Sequence, residues 1–217
     1  MIDENLTDDQ QAELIKSWWR ENGLFLVGGL VLGVGGLFGW QAWQSNSTQK
    51  SQEASNAFQE LLEASAQQRY NKADELYELI TADYAGTPYA DSAELEQAAS
   101  LIKRNDEEQA ASVLRRLVSN TGDTSIRNIA KLRLGRVLLQ LEDYSAAAKI
   151  AAYAKNDAFT AEFADLRGDI AYAQGNIAAA RTAYEQALAS GGEGFPQAGY
   201  VRVKLNDLGA PAPVATE

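Results

Sequence analysis

The sequence predicts an all-α protein in which a single N-terminal transmembrane helix precedes a series of helical hairpins. Residues 22–49 contain no charged side chain, and the 18 residues Gly23–Trp40 (GLFLVGGLVLGVGGLFGW) carry no polar side chain other than an indole. Beyond this run, apolar residues recur with the helical period of about 3.6, and one pattern of residues recurs after 33 positions. No segment shows the strict apolar and polar alternation of a half-buried strand.

Residues 23–43 are the predicted transmembrane helix. At about 1.5 Å per residue they extend roughly 31 Å, which matches the hydrocarbon thickness of a bilayer. Amphipathic indole rings favour the two membrane interfaces, and the four tryptophans of the chain lie at the ends of this segment: Trp18, Trp19, Trp40 and Trp43. Length and flanking residues both fit one membrane crossing.

Glycines in the predicted span are spaced as in helices that pack closely in membranes. Gly29 and Gly33 form one GxxxG pair, and Gly35 and Gly39 form another. Such small residues let two helix backbones approach each other in lipid. We therefore predict an in-membrane packing face at Gly29, Gly33, Gly36 and Gly39. The alternative is a glycine-rich anchor that contacts only lipid.

Two other interpretations of the apolar run fit less well. A cleaved signal peptide would explain the small residues Ser45 and Ser47, but its apolar region has about 7 to 15 residues and follows a short basic segment. This run follows 22 residues that hold six acids. A buried core helix is disfavoured by the seven glycines between Gly23 and Gly39, because each costs about 1 kcal/mol relative to alanine in water.

Charges beside the span predict its orientation. Lys16 and Arg20 closely precede it, and only Lys50 closely follows it. The positive-inside rule therefore places residues 1–22 in the cytoplasm. Residues 44–208 are then expected to form a domain on the opposite side of the membrane.

Composition excludes several classes of function. The chain has no cysteine and no histidine, which removes disulfides, thiolate nucleophiles, Ser-His-Asp catalysis and the usual zinc sites. Of its 19 basic and 30 acidic residues, the first 21 positions hold two and six, which leaves 17 and 24 for the rest. That acidic excess argues against nucleic-acid binding and against broad adhesion to anionic lipids. We predict no cofactor, no metal site and no enzymatic activity.

The clearest internal repeat has a period of 33 residues. Both copies, LRLGRVLLQLEDYSAAAKIAAYA and ADLRGDIAYAQGNIAAARTAYEQAL, consist of an apolar helix, a polar break and an alanine-rich helix. We predict that the glycine of each copy lets the two helices of a hairpin approach closely, with Ala147 or Ala180 facing it. The matched residues are Gly135, Tyr144, Ala147 and Ala154 in one copy and Gly168, Ile177, Ala180 and Ala187 in the other.

This spacing resembles the tetratricopeptide repeat, a helical hairpin of about 34 residues. Residues 128–160 match its pattern incompletely, because Ala151 stands where a large aromatic residue is expected. Residues 161–193 match best, at Gly168, Gly175, Ala180, Tyr184, Ala187 and Leu188. The resemblance implies a tetratricopeptide-like α-solenoid behind the transmembrane helix.

Earlier segments are also predicted to be helical. Residues 91–119 are a weaker copy of the repeat, and residues 57–80 suggest a further hairpin with its break at Tyr70–Lys72. Between the span and these hairpins, Ser45–Thr48 is predicted to be a short polar stretch, followed by a helix at residues 51–66.

A final helix at residues 195–208 is predicted to cap the array. Tyr200, Val203 and Leu205 are expected to cover the last exposed groove. Residues 209–217 contain two prolines and are predicted to form a disordered tail.

Candidate functional residues are those that a hairpin array presents to a partner. Carboxylate pairs such as Glu94 with Glu96 and Asp165 with Asp169 are typical of solvated helix faces. The first helix of each hairpin usually lines a concave face, and a mixed apolar and charged lining suits an extended peptide or a partner helix. The predicted concave-face residues are Leu95, Ile102, Leu132, Arg136, Leu139, Asp165, Asp169 and Tyr172. The alternative is that the leucines only pack between neighbouring helices.

Over nearly its full length the chain resembles one family, the bacterial YfgM proteins. The resemblance lies in the acidic start that leads to Trp18-Trp19-Arg20-Glu21-Asn22-Gly23, in Gly39-Trp40-Gln41-Ala42-Trp43, in Ala57-Phe58 and in the segments LRLGRVLLQLEDYSAAA and ADLRGDIAYAQGNIAAAR. Single motifs are modest, but their order and spacing are specific.

The resemblance implies an ancillary subunit of the SecYEG translocon with one inner-membrane span and a periplasmic helical domain. It also implies association with periplasmic chaperones, notably the membrane-anchored PpiD, in handling polypeptides that emerge from the channel. Two alternatives stay open at this stage. One is a repeat scaffold for cell-envelope assembly or division proteins, and the other is an enzyme such as a glycan hydrolase, for which two close, buried acids in a pocket would be required.

Overall fold

The computed structural model describes residues 8–152 and 158–209, and within these ranges it consists of helices and short connections without a strand. The α-helices are α1 Asp8–Ala66, α2 Tyr70–Asp83, α3 Pro88–Lys103, α4 Glu107–Asn120, α5 Thr124–Gln140, α6 Tyr144–Ala151, α7 Thr160–Ala173, α8 Ile177–Gly191 and α9 Ala198–Asp207. A 3₁₀ turn at Gly192–Gly194 connects the last two. The all-α prediction is confirmed.

Helix α1 is continuous over 59 residues, so the predicted polar stretch at Ser45–Thr48 does not interrupt it. That prediction was wrong because uncharged polar side chains lower helix propensity by only a few tenths of a kcal/mol each. Between residues 41 and 66 the chain contains neither glycine nor proline, the residues that break helices strongly. The described chain divides into two compact units, with the boundary between Gln52 and Glu53 inside α1.

In the second unit the hairpins follow one another as predicted. Helices α3 with α4, α5 with α6 and α7 with α8 form three of them, and the end of α1 forms the first with α2. The break of that first hairpin is at residues 67–69, not at Tyr70–Lys72, which form the first turn of α2. The predicted repeat position Ala154 lies outside the described residues, as do residues 1–7 and all of the predicted tail beyond Gly209.

A turn of one type joins the helices of three hairpins. Its first residue has a left-handed backbone, which ends the preceding helix, and the side chain of the second accepts an N–H from the following helix. The pairs are Asn105-Asp106, Glu142-Asp143 and Gly175-Asn176, with φ of 57°, 60° and 75° at the first residue and capping hydrogen bonds of 3.2, 3.0 and 3.1 Å from the second. In the first hairpin, Gln68 also has a φ of 57°, but Arg69 provides no side-chain cap.

The buried apolar side chains of the second unit form three clusters along the repeat array. The first cluster joins the end of α1 to α2 and α3 and contains Leu61, Leu76 and Ile80. The central cluster extends from α3 to α7 around residues such as Leu114 and Phe163. The third joins α7, α8 and α9. Each cluster is shared between consecutive helices, as expected where each repeat buries its apolar face against its neighbours.

The two repeat glycines do permit close packing, but the predicted facing alanines are not their nearest neighbours. A Cβ atom at Gly168 would lie 2.3 Å from the Tyr184 ring of α8. At Gly135 it would lie 2.5 Å from Leu166 of α7, the next hairpin. The difference follows from the missing aromatic residue at Ala151, because the space that Tyr184 fills in one hairpin is filled in the other by a leucine from the following helix.

Helix α9 caps the array, but through a different face from the one predicted. Val201 is fully buried, and Leu205 and Leu208 pack against the third cluster. Tyr200 and Val203 are 70% and 54% exposed, so their predicted roles were wrong. Helix α9 is too short for the spacing of its apolar residues to show which face is buried, because Val201 and Val203 each belong to a plausible apolar face.

Candidate partner-binding surface

The predicted in-membrane packing face consists of Gly29, Gly33, Gly36 and Gly39. All four lie within α1, and apart from the helix's own nearby backbone no atom of the described residues lies within 4 Å of the position that a Cβ would take at any of them. The helix is the one described segment that is long and apolar enough to cross a membrane. A second helix could therefore approach these glycines closely without displacing a side chain of this unit.

The leucine and isoleucine members of the predicted concave face are largely packed against the core. Leu95, Ile102 and Leu139 are partly buried against the central cluster, and Leu132 belongs to that cluster with 6% of its surface exposed. These four side chains mainly join α3 and α5 to their neighbours. The packing alternative therefore describes them better than the role of a free binding surface.

Arg136 is exposed on α5, whereas Asp165, Asp169 and Tyr172 lie on α7 towards the C-terminal end of the array, where Lys204 of α9 contacts both aspartates. Its ammonium Nζ lies 2.8 Å from Asp165 Oδ1, and 2.7 and 2.9 Å from the two carboxylate oxygens of Asp169. Tyr184 donates its hydroxyl to Asp169 over 2.8 Å. Asp165 and Asp169 are one turn apart on α7, so a single cation from α9 reaches both.

Burial affects the pKa values of this cluster more than the nearby charges do. The pKa of Asp165 is raised, because the loss of water around the carboxylate outweighs the favourable effects of Lys204 and the more distant Arg136. Burial and the adjacent Asp169 carboxylate also raise the pKa of the Tyr184 hydroxyl. At neutral pH the phenol therefore stays protonated and acts as a hydrogen-bond donor.

Beside the ion pair lies a cleft of about 210 Å³ between α7, α8 and α9. Its lining combines ring surfaces with charged groups: Asp169, Tyr172, Tyr184, Lys204, Asp207 and Leu208. The Tyr172 side chain is 55% exposed. An exposed aromatic ring beside fixed charges is a suitable contact for a polypeptide side chain.

A glycan hydrolase would require two close, buried acids in a pocket, and Asp165 and Asp169 meet only part of this requirement. Both project from one face of α7 and share one ammonium group, whereas glycoside hydrolysis uses two carboxyl groups on opposite sides of a scissile bond. Among the described residues no group of three potential metal ligands occurs. The arrangement is that of a structural ion-pair network at the edge of a cleft.

The residues predicted from the sequence include Asp165, Asp169 and Tyr172 of this cluster but not Lys204. The lysine lies 35 positions beyond Asp169, on a helix outside the 33-residue repeat, so repeat spacing gave no indication of the contact. The available indication was that residues 195–208 were predicted to cap the array, which brings a basic residue of that helix near the aspartates of the last repeat.

Comparisons with known proteins cover almost the whole chain. A family model described as a tetratricopeptide repeat-like domain matches residues 16–210. A protein of Haemophilus influenzae named ancillary SecYEG translocon subunit is 31% identical over 204 residues, which cover 94% of this chain and 98% of that protein. A protein of Escherichia coli with the same name is 34% identical over 185 residues, covering 84% and 88% of the two chains. No solved structure matches significantly.

Proposed function

We propose, because the chain belongs to the YfgM family of tetratricopeptide repeat-like proteins, that it is an ancillary subunit of a SecYEG translocon in a bacterial inner membrane. The observation that carries this proposal is the similarity to curated ancillary SecYEG translocon subunits over most of the chain, in a protein that has an apolar N-terminal helix and a repeat-like domain. Such an architecture suits a protein that binds other proteins beside a membrane channel.

The topology we propose is single-pass, with residues 1–22 in the cytoplasm, residues 23–43 in the membrane and residues 44–208 in the periplasm. It is supported by the apolar character of the first half of α1 and by the basic residues Lys16 and Arg20 before the span.

Within this function, the helical domain is proposed to bind a membrane-anchored periplasmic chaperone of the PpiD type and, with it, polypeptides that leave the channel. The proposed contact is the surface around Arg136, Asp165, Asp169 and Tyr172. Three features support it: the exposed Tyr172 ring, the exposed Arg136 guanidinium, and the rigid ion pairs that hold α9 beside the cleft.

The test is a mild-detergent purification of the full chain from its own membranes, followed by mass spectrometry. We expect translocon subunits and a periplasmic chaperone to co-purify. Replacing Gly29, Gly33 and Gly36 with leucine is expected to remove the translocon subunits, because the larger side chains keep a partner helix at a distance.

The matched control carries phenylalanine at Val27, Val31 and Val34, which lie on the opposite side of the same helix; each change adds four carbon atoms, as glycine to leucine does. It should retain the translocon subunits. Recovery of division or wall-synthesis proteins without translocon subunits would reject the proposed function in favour of the envelope scaffold. Equal losses in the two variants would reject the specific glycine face.

A further inference from the structure

A second groove lies among the first helices of the repeat domain. It has a volume of about 380 Å³, with α2 and α4 on either side of α3. The residues that determine its chemistry are Asp74, Tyr77, Gln97, Arg104, Ser112 and Arg116, with the solvent-exposed Glu78 at its edge. None of them belongs to the predicted concave face or to the cleft beside Lys204.

Asp74 fixes the orientation of the Gln97 side chain at the base of this groove. Gln97 Nε2 donates to Asp74 Oδ1 over 2.8 Å, and Arg104 Nη1 donates to Asp74 Oδ2 over 2.8 Å. An ionised carboxylate only accepts hydrogen bonds, so it requires the NH₂ side of the amide. The Gln97 carbonyl oxygen must therefore face away from Asp74.

That carbonyl oxygen has no hydrogen-bond donor among the described residues, although Gln97 is only 7% exposed. Buried acceptors in proteins are almost always satisfied, because leaving one unpaired costs stability. A near-fully buried glutamine that lines a groove with an unsatisfied carbonyl points to a donor supplied by a ligand.

The same groove also offers donors. Arg104 uses only Nη1 in the hydrogen bond to Asp74, and Arg116 uses Nε towards Glu94 and Nη2 towards the Tyr77 hydroxyl. The other N–H groups of both guanidinium ions have no partner among the described residues. Since each arginine is already paired with a carboxylate, the groove presents hydrogen-bonding groups with little uncompensated positive charge.

We propose that this α2–α4 groove binds a short uncharged polypeptide segment in an extended conformation. A main-chain N–H of the segment donates to Gln97 Oε1, and a main-chain carbonyl accepts from Arg104 or Arg116. A polypeptide backbone provides both kinds of group at regular spacing. Because Gln97 and Arg104 both donate to the carboxylate of Asp74, the ends of their side chains lie close together, within reach of the N–H and C=O groups of neighbouring residues in one extended chain.

The probe for this proposal is a fluorescein-labelled uncharged heptapeptide of glycine, serine, alanine and valine. Its binding is measured by fluorescence anisotropy to the full chain in phosphatidylcholine nanodiscs, with empty nanodiscs as the blank. The same peptide with its three central nitrogens methylated lacks the N–H donors there, and we expect it to bind about tenfold more weakly, as for the loss of one good hydrogen bond.

Two variants locate the binding. Gln97→Leu removes the unpaired carbonyl and is expected to weaken binding of the unmethylated peptide about tenfold, to the level of the methylated peptide. The control Gln186→Leu changes an exposed residue of α8 and should bind like the unchanged protein. Ser112→Trp changes an exposed position on α4, so the large ring should obstruct the groove without altering the core. This variant is expected to abolish binding, and it keeps the test decisive if the Gln97 variant folds poorly.

Three outcomes would overturn the inference: no binding of the heptapeptide, equal binding of its methylated form, or unchanged binding to the Gln97 and Ser112 variants. Binding only of a lysine-containing or glutamate-containing peptide would also overturn it, since the ligand would then be a charged side chain. None of these four outcomes changes whether translocon subunits co-purify with the chain, so the inference about the groove can fail while the proposed function stands.

Discussion

At the scale of single residues, Lys204 connects the last helix to the best-matched repeat. Its ammonium group is 2.7 to 2.9 Å from oxygens of both Asp165 and Asp169, and 5.5 Å from the ring centres of Tyr184 and Tyr200. The Asp165 side chain is only 5% exposed. One cation therefore compensates two carboxylates, one of which has almost no access to water.

Lys204→Met is expected to reduce the free energy of unfolding at pH 7 by about 3 kcal/mol, because it leaves a buried carboxylate without its cation. Without Lys204 the pKa of Asp165 rises further in the folded state, so this state binds protons more readily than the unfolded chain does. The deficit should be greatest at pH 7 and shrink as the pH falls towards the unfolded value of about 3.9. Urea denaturation followed by circular dichroism at pH 7 and pH 4.5 measures it.

The matched variant is Asp165→Asn. It removes the buried charge while Lys204 keeps both contacts with Asp169, so the expected change at pH 7 is within about 1 kcal/mol. A loss from Lys204→Met that stays constant with pH, or one no larger than that of Asp165→Asn, would contradict the argument.

The sequence predicted the two aspartates of this cluster but not Lys204, and the reason is physical. Asp165, Asp169 and Tyr172 are one helical turn apart on α7, so local periodicity places them together. The contact with Lys204 joins helices that are distant in sequence and depends on how α9 rotates about its axis. That rotation is set by the burial of Val201, which a ten-residue helix does not reveal through its pattern.

At the scale of helices, strong local signals gave correct predictions and weak ones did not. The polar breaks at Glu142-Asp143 and Gly175-Asn176 separate two helices. The first residue of each pair has a left-handed backbone that ends one helix, and the side chain of the second caps the helix that follows. The polar stretch Ser45–Thr48 has comparable polarity but lies inside α1. Polarity alone does not end a helix, whereas a left-handed residue followed by a cap does.

Helix α9 provides a test of how the array ends. Val201→Asp places a charge in the fully buried contact with α7 and α8, and the expected loss is about 3 kcal/mol or more. Val203→Asp, two residues later at an exposed position, should change the free energy of unfolding by less than about 0.5 kcal/mol.

Hydrogen exchange with mass spectrometry measures the consequence helix by helix. In Val201→Asp, the amides of α8 should exchange faster, because α9 no longer covers the third cluster. The amides of α2 should be unchanged, since they belong to the first cluster. Faster exchange of both helices would show that the array unfolds as one unit, against the nearest-neighbour behaviour expected of repeats.

At the scale of the whole molecule, one chain combines an apolar membrane segment with an acidic helical domain. The membrane segment has exposed leucine, valine and phenylalanine side chains throughout, as a lipid environment requires. The repeat domain buries its apolar side chains in three clusters along the array. The acidic excess opposes binding of that domain to anionic lipid.

The orientation of the chain can be tested directly because it contains no cysteine. We expect a single cysteine at the exposed position Ser190 to react with a membrane-impermeant maleimide in cells whose outer membrane has been permeabilised. A cysteine at the exposed position Glu13 should react only after the inner membrane is disrupted. Replacing Lys16 and Arg20 with glutamine and placing lysines at Ser47 and Thr48 should give a mixed pattern, because these charges determine which end of the span stays in the cytoplasm. If the Glu13 position reacted first in the unaltered span, the repeat domain would lie in the cytoplasm and could not meet periplasmic chaperones.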